Sequence, residues 1–266
     1  MSRTAIIDLD SIIFAAFHPN KVLDSNGNPT RTPDNSKFIY KEKTCLEIIA
    51  SCDFLMNDIL TKSNASGYIA YVKGRGTTKN KEAINPEYKA NREKSISPKY
   101  WTFTKEYLRL AWNAIESNDI ETDDSVRIAN LAIKDSFIVA IDSDLLGLSG
   151  THYNWKKNEW ITNTKEQENY KFWSDMISGT HNNTKGIPGK GEKYTEKVFE
   201  NPRDDNPLNV KVFNEYIKHF GELDGIKEFN KNYICNKILE NYEGFQVPII
   251  TEFRNRSKID KTNSEW

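Results

Sequence analysis

The 266-residue sequence is poor in cysteine, with only Cys45, Cys52 and Cys235. Their spacing offers neither a disulfide framework nor a thiolate zinc site, which favours a reducing, cytosolic setting. No stretch approaches the roughly 20 consecutive apolar residues that a bilayer span requires, and Met1 to Asp10 lacks a signal-peptide core. No membrane association is therefore expected. An excess of either charge is also missing: 37 Lys and Arg stand against 38 Asp and Glu, a formal charge of −1. The total charge thus nominates no partner. What is present is core material. Hydrophobic residues make up 37% of the chain and aromatics 12%, which is too much apolar content for a disordered tail. The length suits one large domain or two small ones.

The distribution of charge is more informative than its sum. Between residues 73 and 99 lie Lys73, Arg75, Lys79, Lys81, Lys89, Arg92, Lys94 and Lys99, opposed only by Glu82, Glu87 and Glu93, for a net +5. Downstream, Asp119, Glu121, Asp123 and Asp124 put four carboxylates into six positions. Either cluster alone describes a solvated surface. Basic residues attract phosphates, however, and carboxylates held together repel unless a cation sits among them. Both clusters in one chain point to a metal-dependent enzyme acting on a phosphodiester.

Hydrophobic periodicity places these residues in a fold. Thr4 to Asp10 reads as a short buried strand with acids at its exit, and Tyr68 to Val72 as a second strand. Asn20 to Asp34, with Asn26-Gly27 and two prolines, reads as loop or hairpin. Helical spacing runs from Glu42 to about Lys62, from Trp101 to Glu116 and from about Asp123 to Lys134, followed by a strand over Phe137 to Ile141. His152 to Trp155 and Glu159 to Thr162 form a hairpin, and Asn163 to about Ser178 a helix. Strands alternating with helices imply an α/β fold with a central, mostly parallel sheet flanked by helices. Ligands bind such sheets outside the carboxyl ends of the strands. Asp8, Asp142 and Asp144 stand at two of these ends, so acids distant in sequence meet at one edge. Glu121 and Asp124, three apart at a helix opening, share a face. Each acid also has a structural alternative: Asp123 and Asp124 suit a helix N-terminus, Thr122 suits an N-cap and Asp142 a turn.

Lys185-Gly186-Ile187-Pro188-Gly189-Lys190-Gly191-Glu192-Lys193 opens another helix running to about Glu200. Backbone amides freed by glycines, a helix N-terminus and nearby lysines make a site for a phosphate or a cation-bridged phosphate. It is not a nucleotide-binding loop, because no Gly-Lys-Ser/Thr follows the required spacing. The same segment also reads as an ordinary turn. The tail from Arg254 to Trp266 is polar.

In order, Ile7-Asp8, Pro86-Glu87-Tyr88-Lys89-Ala90-Asn91-Arg92, Glu121-Thr122-Asp123-Asp124, Ile141-Asp142-Ser143-Asp144-Leu145-Leu146 and Gly186-Ile187-Pro188-Gly189-Lys190-Gly191 resemble the 5′-nuclease family. That family comprises bacteriophage flap endonucleases and 5′→3′ exonucleases and the 5′-nuclease domain of bacterial DNA polymerase I. The likeness runs from about residue 4 to residue 200. It implies a catalytic domain over residues 1–165 with a basic arch over 73–99. A helical DNA-binding region with a helix–three-turn–helix motif follows over 166–266. It implies that Asp8, Glu121, Asp123 and Asp124 hold a first magnesium or manganese ion, directly or through water, and that Asp142 and Asp144 extend the cluster towards a second. Lys89 and Arg92 would contact the scissile phosphate. Tyr88 would stack on a terminal base or anchor the arch. Gly186, Gly189, Lys190, Gly191 and Lys193 would grip duplex DNA, with a potassium ion bridging. The implied substrates are DNA flaps, nicks and free 5′ ends during replication or repair, cut by a cytoplasmic monomer of phage type. No motif encodes a protein partner.

Two departures bear on that expectation. An aspartate that the family carries after its second strand is replaced here by Val72 followed by Lys73. The family's Gly-Asp-x-x-Asp-Asn before the glycine loop is replaced by Ser178-Gly179-Thr180-His181-Asn182-Asn183. Gly179 or Thr180, and Asn182, then stand where two carboxylates complete the second metal site, so that site is expected to be weakened. The rival readings are a structure-specific DNA-binding protein with little catalytic activity and a metal-dependent ribonuclease on a similar sheet.

Overall fold

The computed structural model describes residues 3–90, 99–180 and 184–254. The chain begins with β1 (Thr4–Asp8) and α1 (Leu9–Ala16), followed by a two-residue ribbon of β2 (Asn20–Lys21) and β3 (Tyr40–Lys41). Next come α2 (Cys45–Lys62), β4 (Gly67–Lys73), α3 (Lys79–Ile84), α4 (Trp101–Trp112), β5 (Ile115–Ser117) and α5 (Thr122–Ala132). Then follow β6 (Ser136–Ala140), the short α6 (Ser143–Leu146) and the hairpin of β7 (Gly150–Asn154) and β8 (Glu159–Asn163). Four helices complete the described chain, α7 (Lys165–Ser178), α8 (Glu192–Phe199), α9 (Leu208–Phe220) and α10 (Glu222–Asn236), before a terminal β9 (Thr251–Glu252).

Seven strands form one mixed, mostly parallel sheet in the order β5-β4-β1-β6-β7-β8, with β9 antiparallel against the start of β4. β1 lies at the centre, parallel to β4 on one side and to β6 on the other, and all five of its residues are buried. Such a strand must read as a continuous apolar run, because both faces are covered. Ala5 and Ile7 point into one core with Ile48, Cys52 and Met56 of α2 and with Leu108 and Trp112 of α4. Ile6 points the other way, into a core with Val126 and Ala129 of α5, Ile138 and Leu145. From β1 the chain builds outward through β4 and β5, then returns and builds the other way through β6 and β7. The crevice between the carboxyl ends of β1 and β6 is therefore the topological switch point, where such sheets bind their ligands.

Capping sets the helix entries. Thr44 and Glu47 form a reciprocal capping box on α2, and Thr164 and Gln167 do the same on α7. One boundary differs from the periodicity. Trp101 to Glu116 is not one helix: it ends at Trp112 because Asn113 adopts a left-handed conformation (φ 49°), which frees Ile115–Ser117 to pair with β4. On α2, Leu46 is exposed and Ile48 takes the inward position.

The four helices α7–α10 surround a core of their own, including Trp173, Met176, Ile177, Ile187, Phe199, Val212 and Tyr216. This is the C-terminal helical region that the sequence implied. It is bolted to the sheet by Arg127 of α5, whose buried guanidinium donates to the Ser149 carbonyl at 2.9 Å and to Glu168 of α7 at 3.1 Å. Among the described residues no helix is long and apolar enough to cross a membrane.

Candidate active site

Four aspartates occupy the carboxyl edge of the sheet at the switch point. Asp8 ends β1 and caps α1, its carboxylate accepting the Asp10 amide at 3.1 Å. It is 5% exposed, and burial together with the negative charges of Asp10 and Asp142 pushes its pKa up to about 7. Asp123, in the first turn of α5, is raised well above the carboxylate range, first by burial and then by Asp8 and Asp142, against the opposing charge of Lys89. No hydrogen bond or ion pair reaches the Asp123 carboxylate among the described residues. Asp142 follows β6 and caps α6 by accepting the Asp144 amide at 2.9 Å. The charges of three acids from three separate elements thus act on one crevice, with Asp8 buried, Asp123 half-buried and Asp142 exposed at its rim.

Asp10 belongs to the same edge and is a tie between strands. One oxygen accepts the Lys73 amide at the exit of β4 (3.1 Å), and the other accepts the Thr122 hydroxyl at the start of α5 (2.9 Å). Burial raises its pKa against these two hydrogen bonds. Thr122 is therefore a partner of Asp10 and not the N-cap of its helix, a role taken by Glu121.

Glu121 and Asp124 use their oxygens differently. Glu121 is clamped by two ammonium groups, Lys81 at 2.6 Å and Lys89, and also accepts the Tyr88 hydroxyl at 2.9 Å. Burial would raise its pKa, but the two lysines win and hold it at about 2. Asp124 accepts the Glu121 amide at 3.1 Å and the Leu239 amide at 2.8 Å, fastening α5 to the segment after α10. Lys89 holds a left-handed backbone conformation (φ 54°) that few non-glycine residues adopt. Tyr88 is 2% exposed, so its ring anchors the basic segment and is not presented for stacking.

A glycine turn joins α7 to α8. The Ile187 amide returns to the Ile177 carbonyl at 2.8 Å, with the Ile187 side chain buried in the helical core. Gly186 (φ 60°) is required there, since a Cβ would stand 2.3 Å from the Gly179 nitrogen and 2.5 Å from the Ile177 oxygen. Gly189 (φ 71°) and Gly191 meet nothing, which leaves the outer face of the turn open at the N-terminus of α8. The Lys190 ammonium sits 4.1 Å from the Tyr194 ring centroid, and Lys193 is exposed.

No protein-family signature matches the sequence, and no curated protein matches it. Solved structures do match. A bacteriophage T5 flap endonuclease, in a pseudo-enzyme–product complex with DNA and metal ions, superposes with a TM-score of 0.60 at 12% identity, covering 88% of this chain and 89% of that one. Flap endonuclease-1 from Methanococcus jannaschii gives 0.54 at 13% identity, over 98% of this chain and 85% of that one. The chain has the fold of the 5′-nucleases. A second structure of the T5 protein, co-crystallised with metal ions, gives 0.50 at 12% identity, over 89% and 85%.

Within this 5′-nuclease fold, the sequence-derived acids all lie at or beside one edge of the sheet, but in different circumstances. Asp8, Asp123 and Asp142 face one another, Glu121 and Asp124 are satisfied by lysines and amides, and Asp144 leans towards Lys171 (3.6 Å). Arg92 and the 181–183 portion of the stretch before the glycine turn lie outside the described residues. Carboxylate oxygens are the donors a hard divalent cation takes, so the donor chemistry of Asp8, Asp123 and Asp142 suits magnesium or manganese. Among the described residues no group of three His, Cys, Asp or Glu side chains is placed so that it could hold a metal ion. Sequence reasoning passed over Asp10 and Lys81. The signal for Asp10 was its position two residues after Asp8. Lys81 carried none, being one lysine among eight basic residues in its segment.

Proposed function

We propose that the protein is a divalent-metal-dependent 5′-nuclease that hydrolyses DNA phosphodiesters at or near 5′ ends, as a 5′→3′ exonuclease or flap endonuclease. The observation that carries this reading is the convergence of Asp8, Asp123 and Asp142, from three separate elements, at the switch point of the sheet, beside the Lys81–Glu121–Lys89 cluster. Asp8, Asp123 and Asp142 would hold the ion, with Asp10 beside them. When bound, the ion supplies polarisation of a phosphoryl oxygen and a lowered pKa for a water.

The chain's own residues do the rest. Asp10, by joining the exits of β1 and β4 to the start of α5, fixes the spacing of the acids. Glu121 holds the Lys89 ammonium beside the crevice, where a phosphate can take it over as counter-charge. Arg92, from the same Tyr-Lys-x-Asn-Arg element, is proposed as its companion. The turn at Gly186, Gly189, Lys190, Gly191 and Lys193 is proposed to bind duplex DNA as a helix–three-turn–helix, offering amides at a helix N-terminus and nearby lysines, with room for a bridging potassium ion. Residues 1–165 and 166–266 are proposed as the catalytic and DNA-binding domains, in keeping with the separate core of α7–α10. The missing aspartates before the glycine turn favour one rival, a DNA-binding protein with little turnover.

The test is cleavage of end-labelled flap, nicked and single-stranded DNA, first with magnesium and then with manganese. Products released from or near the 5′ end, dependent on metal, are expected. Tight binding without product at any metal concentration would instead establish the binding protein.

A further inference from the structure

Two ammonium groups share the Glu121 carboxylate, and they share it unequally. Lys81, on α3, is 9% exposed and places its Nζ 2.6 Å from Oε2 of Glu121. The Tyr88 hydroxyl donates to the same oxygen at 2.9 Å. Lys89 pairs with the other oxygen, Oε1. Both ammonium groups also lie near the Tyr88 ring, 5.5 Å from its centroid for Lys81 and 5.0 Å for Lys89. Burial works against the Lys81 charge, but Glu121 and Asp124 outweigh it and raise its pKa, so this ammonium is permanent. The Lys89 charge also acts on Asp123, which puts the second ammonium beside the crevice. The two lysines are mounted differently as well. Lys81 sits on a helix packed against α10, whereas Lys89 lies in the turn that follows that helix.

We infer that Lys81 is a positioning residue that keeps Glu121 neutralised, so that Lys89 is free to leave the glutamate for a DNA phosphate. The inference rests on the nuclease reading for its substrate, but its own content is the exchange of one lysine between two anions. A buried carboxylate that loses its only counter-charge is strongly disfavoured. With Lys81 and Tyr88 on Oε2, departure of Lys89 from Oε1 leaves Glu121 still paired and still hydrogen-bonded. Without Lys81, Lys89 becomes the sole cation on Glu121, and a phosphate has to break a buried ion pair to recruit it. Lysine suits the exchange, because its ammonium is a compact charge on a flexible stem. Lys81 itself touches no DNA.

The experiment follows the binding of a fluorescent 5′-flap duplex in EDTA across a salt series, with folding of each variant checked by circular dichroism. Losing one phosphate contact lowers the slope of log affinity against log salt by about 0.9. Lys89→Met should lose that amount. Lys81→Met and Lys81→Gln should lose the same amount, and adding Lys89→Met to either should change nothing further. Lys81→Arg should keep the wild-type slope. Glu121→Gln in the Lys81→Met background should restore it, since Lys89 is then released, and in magnesium kcat should fall and recover in the same order. A merely structural role for Lys81 would not be repaired by removing a second buried charge. An unchanged slope in Lys89→Met or in a folded neutral Lys81 variant, or no recovery with Glu121→Gln, would overturn the inference. The slopes are read without turnover. A wild type that binds but does not cleave would therefore count against the nuclease reading, and the slopes would still decide the role of Lys81.

Discussion

Replacing Asp8 by Asn isolates the cost of gathering acids at the sheet edge. In the metal-free protein the Asp8 carboxyl is displaced from its ordinary 3.8 to about 7, chiefly by burial and then by Asp10 and Asp142. A folded-state pKa above the unfolded one means the folded chain binds the extra proton between pH 4 and 7. Stability therefore falls as pH rises through that window, by up to about 1.4 kcal/mol per pH unit, and the whole penalty is present above pH 7. The displacement corresponds to about 4 kcal/mol at pH 8 for a rigid site, and about 2 kcal/mol if local relaxation admits water. Asn removes the charge yet remains as good an N-cap for α1 as Asp. In EDTA at pH 8, Asp8→Asn should raise the melting temperature by at least about 4 °C, at about 2–4 °C per kcal/mol for a chain of this size. The gain should disappear near pH 4. Magnesium should then stabilise wild type and leave the variant unmoved. A variant that differs from wild type by the same amount at pH 4 and pH 8 would refute the reasoning.

Four further outcomes follow from the geometry. Glu121→Gln leaves the buried Lys81 ammonium without its main counter-charge and should cost about 3–5 kcal/mol in urea denaturation. Gly186→Ala, which places a Cβ 2.3 Å from backbone, should destabilise the protein well beyond Gly189→Ala, whose left-handed backbone alone costs about 1–2 kcal/mol; equal melting temperatures would contradict the packing described. Glu168 is held at about 2 because Lys165, Ser149 and Arg127 outweigh its burial. Its stabilising contribution is complete above pH 4.5 and lost as pH falls towards 2, so Glu168→Gln should flatten the acid limb of a stability–pH profile. If the glycine turn grips DNA, Lys190→Ala with Lys193→Ala should reduce the slope of log affinity against log salt by about 1 for each phosphate that is no longer neutralised.

The sheet was legible because a central strand covered on both faces needs an apolar run, such as Ala5–Ile7 and Tyr68–Val72. Helices α2, α4, α5 and α7 followed from their 3.6-residue spacing, whereas α1, α3, α6, α9 and α10 were not read from it. Boundaries were less legible where a single backbone conformation decides them: nothing in the pattern of Trp101 to Glu116 announces the left-handed Asn113 that separates a helix from a strand. Asp142 and Asp144 were expected at the end of a strand, and there they open a short helix, because a carboxylate at its start can cap the amide two residues on. The acids were recognisable as a group, but not their division of labour. Whether Glu121 faces a cation or a lysine depends on where Lys81 and Lys89 fold back, a tertiary fact without local signature.

The claim at the centre of this account is that Asp123 and Asp142, brought together from α5 and the exit of β6, serve DNA hydrolysis. Cleavage of an end-labelled 5′-flap duplex in magnesium by the Asp123→Asn, Asp142→Asn double variant tests it most directly. The account predicts strong metal-dependent cleavage by wild type and none by a folded variant that still binds the DNA. Undiminished cleavage by that variant, in a preparation free of contaminating nuclease, would contradict it.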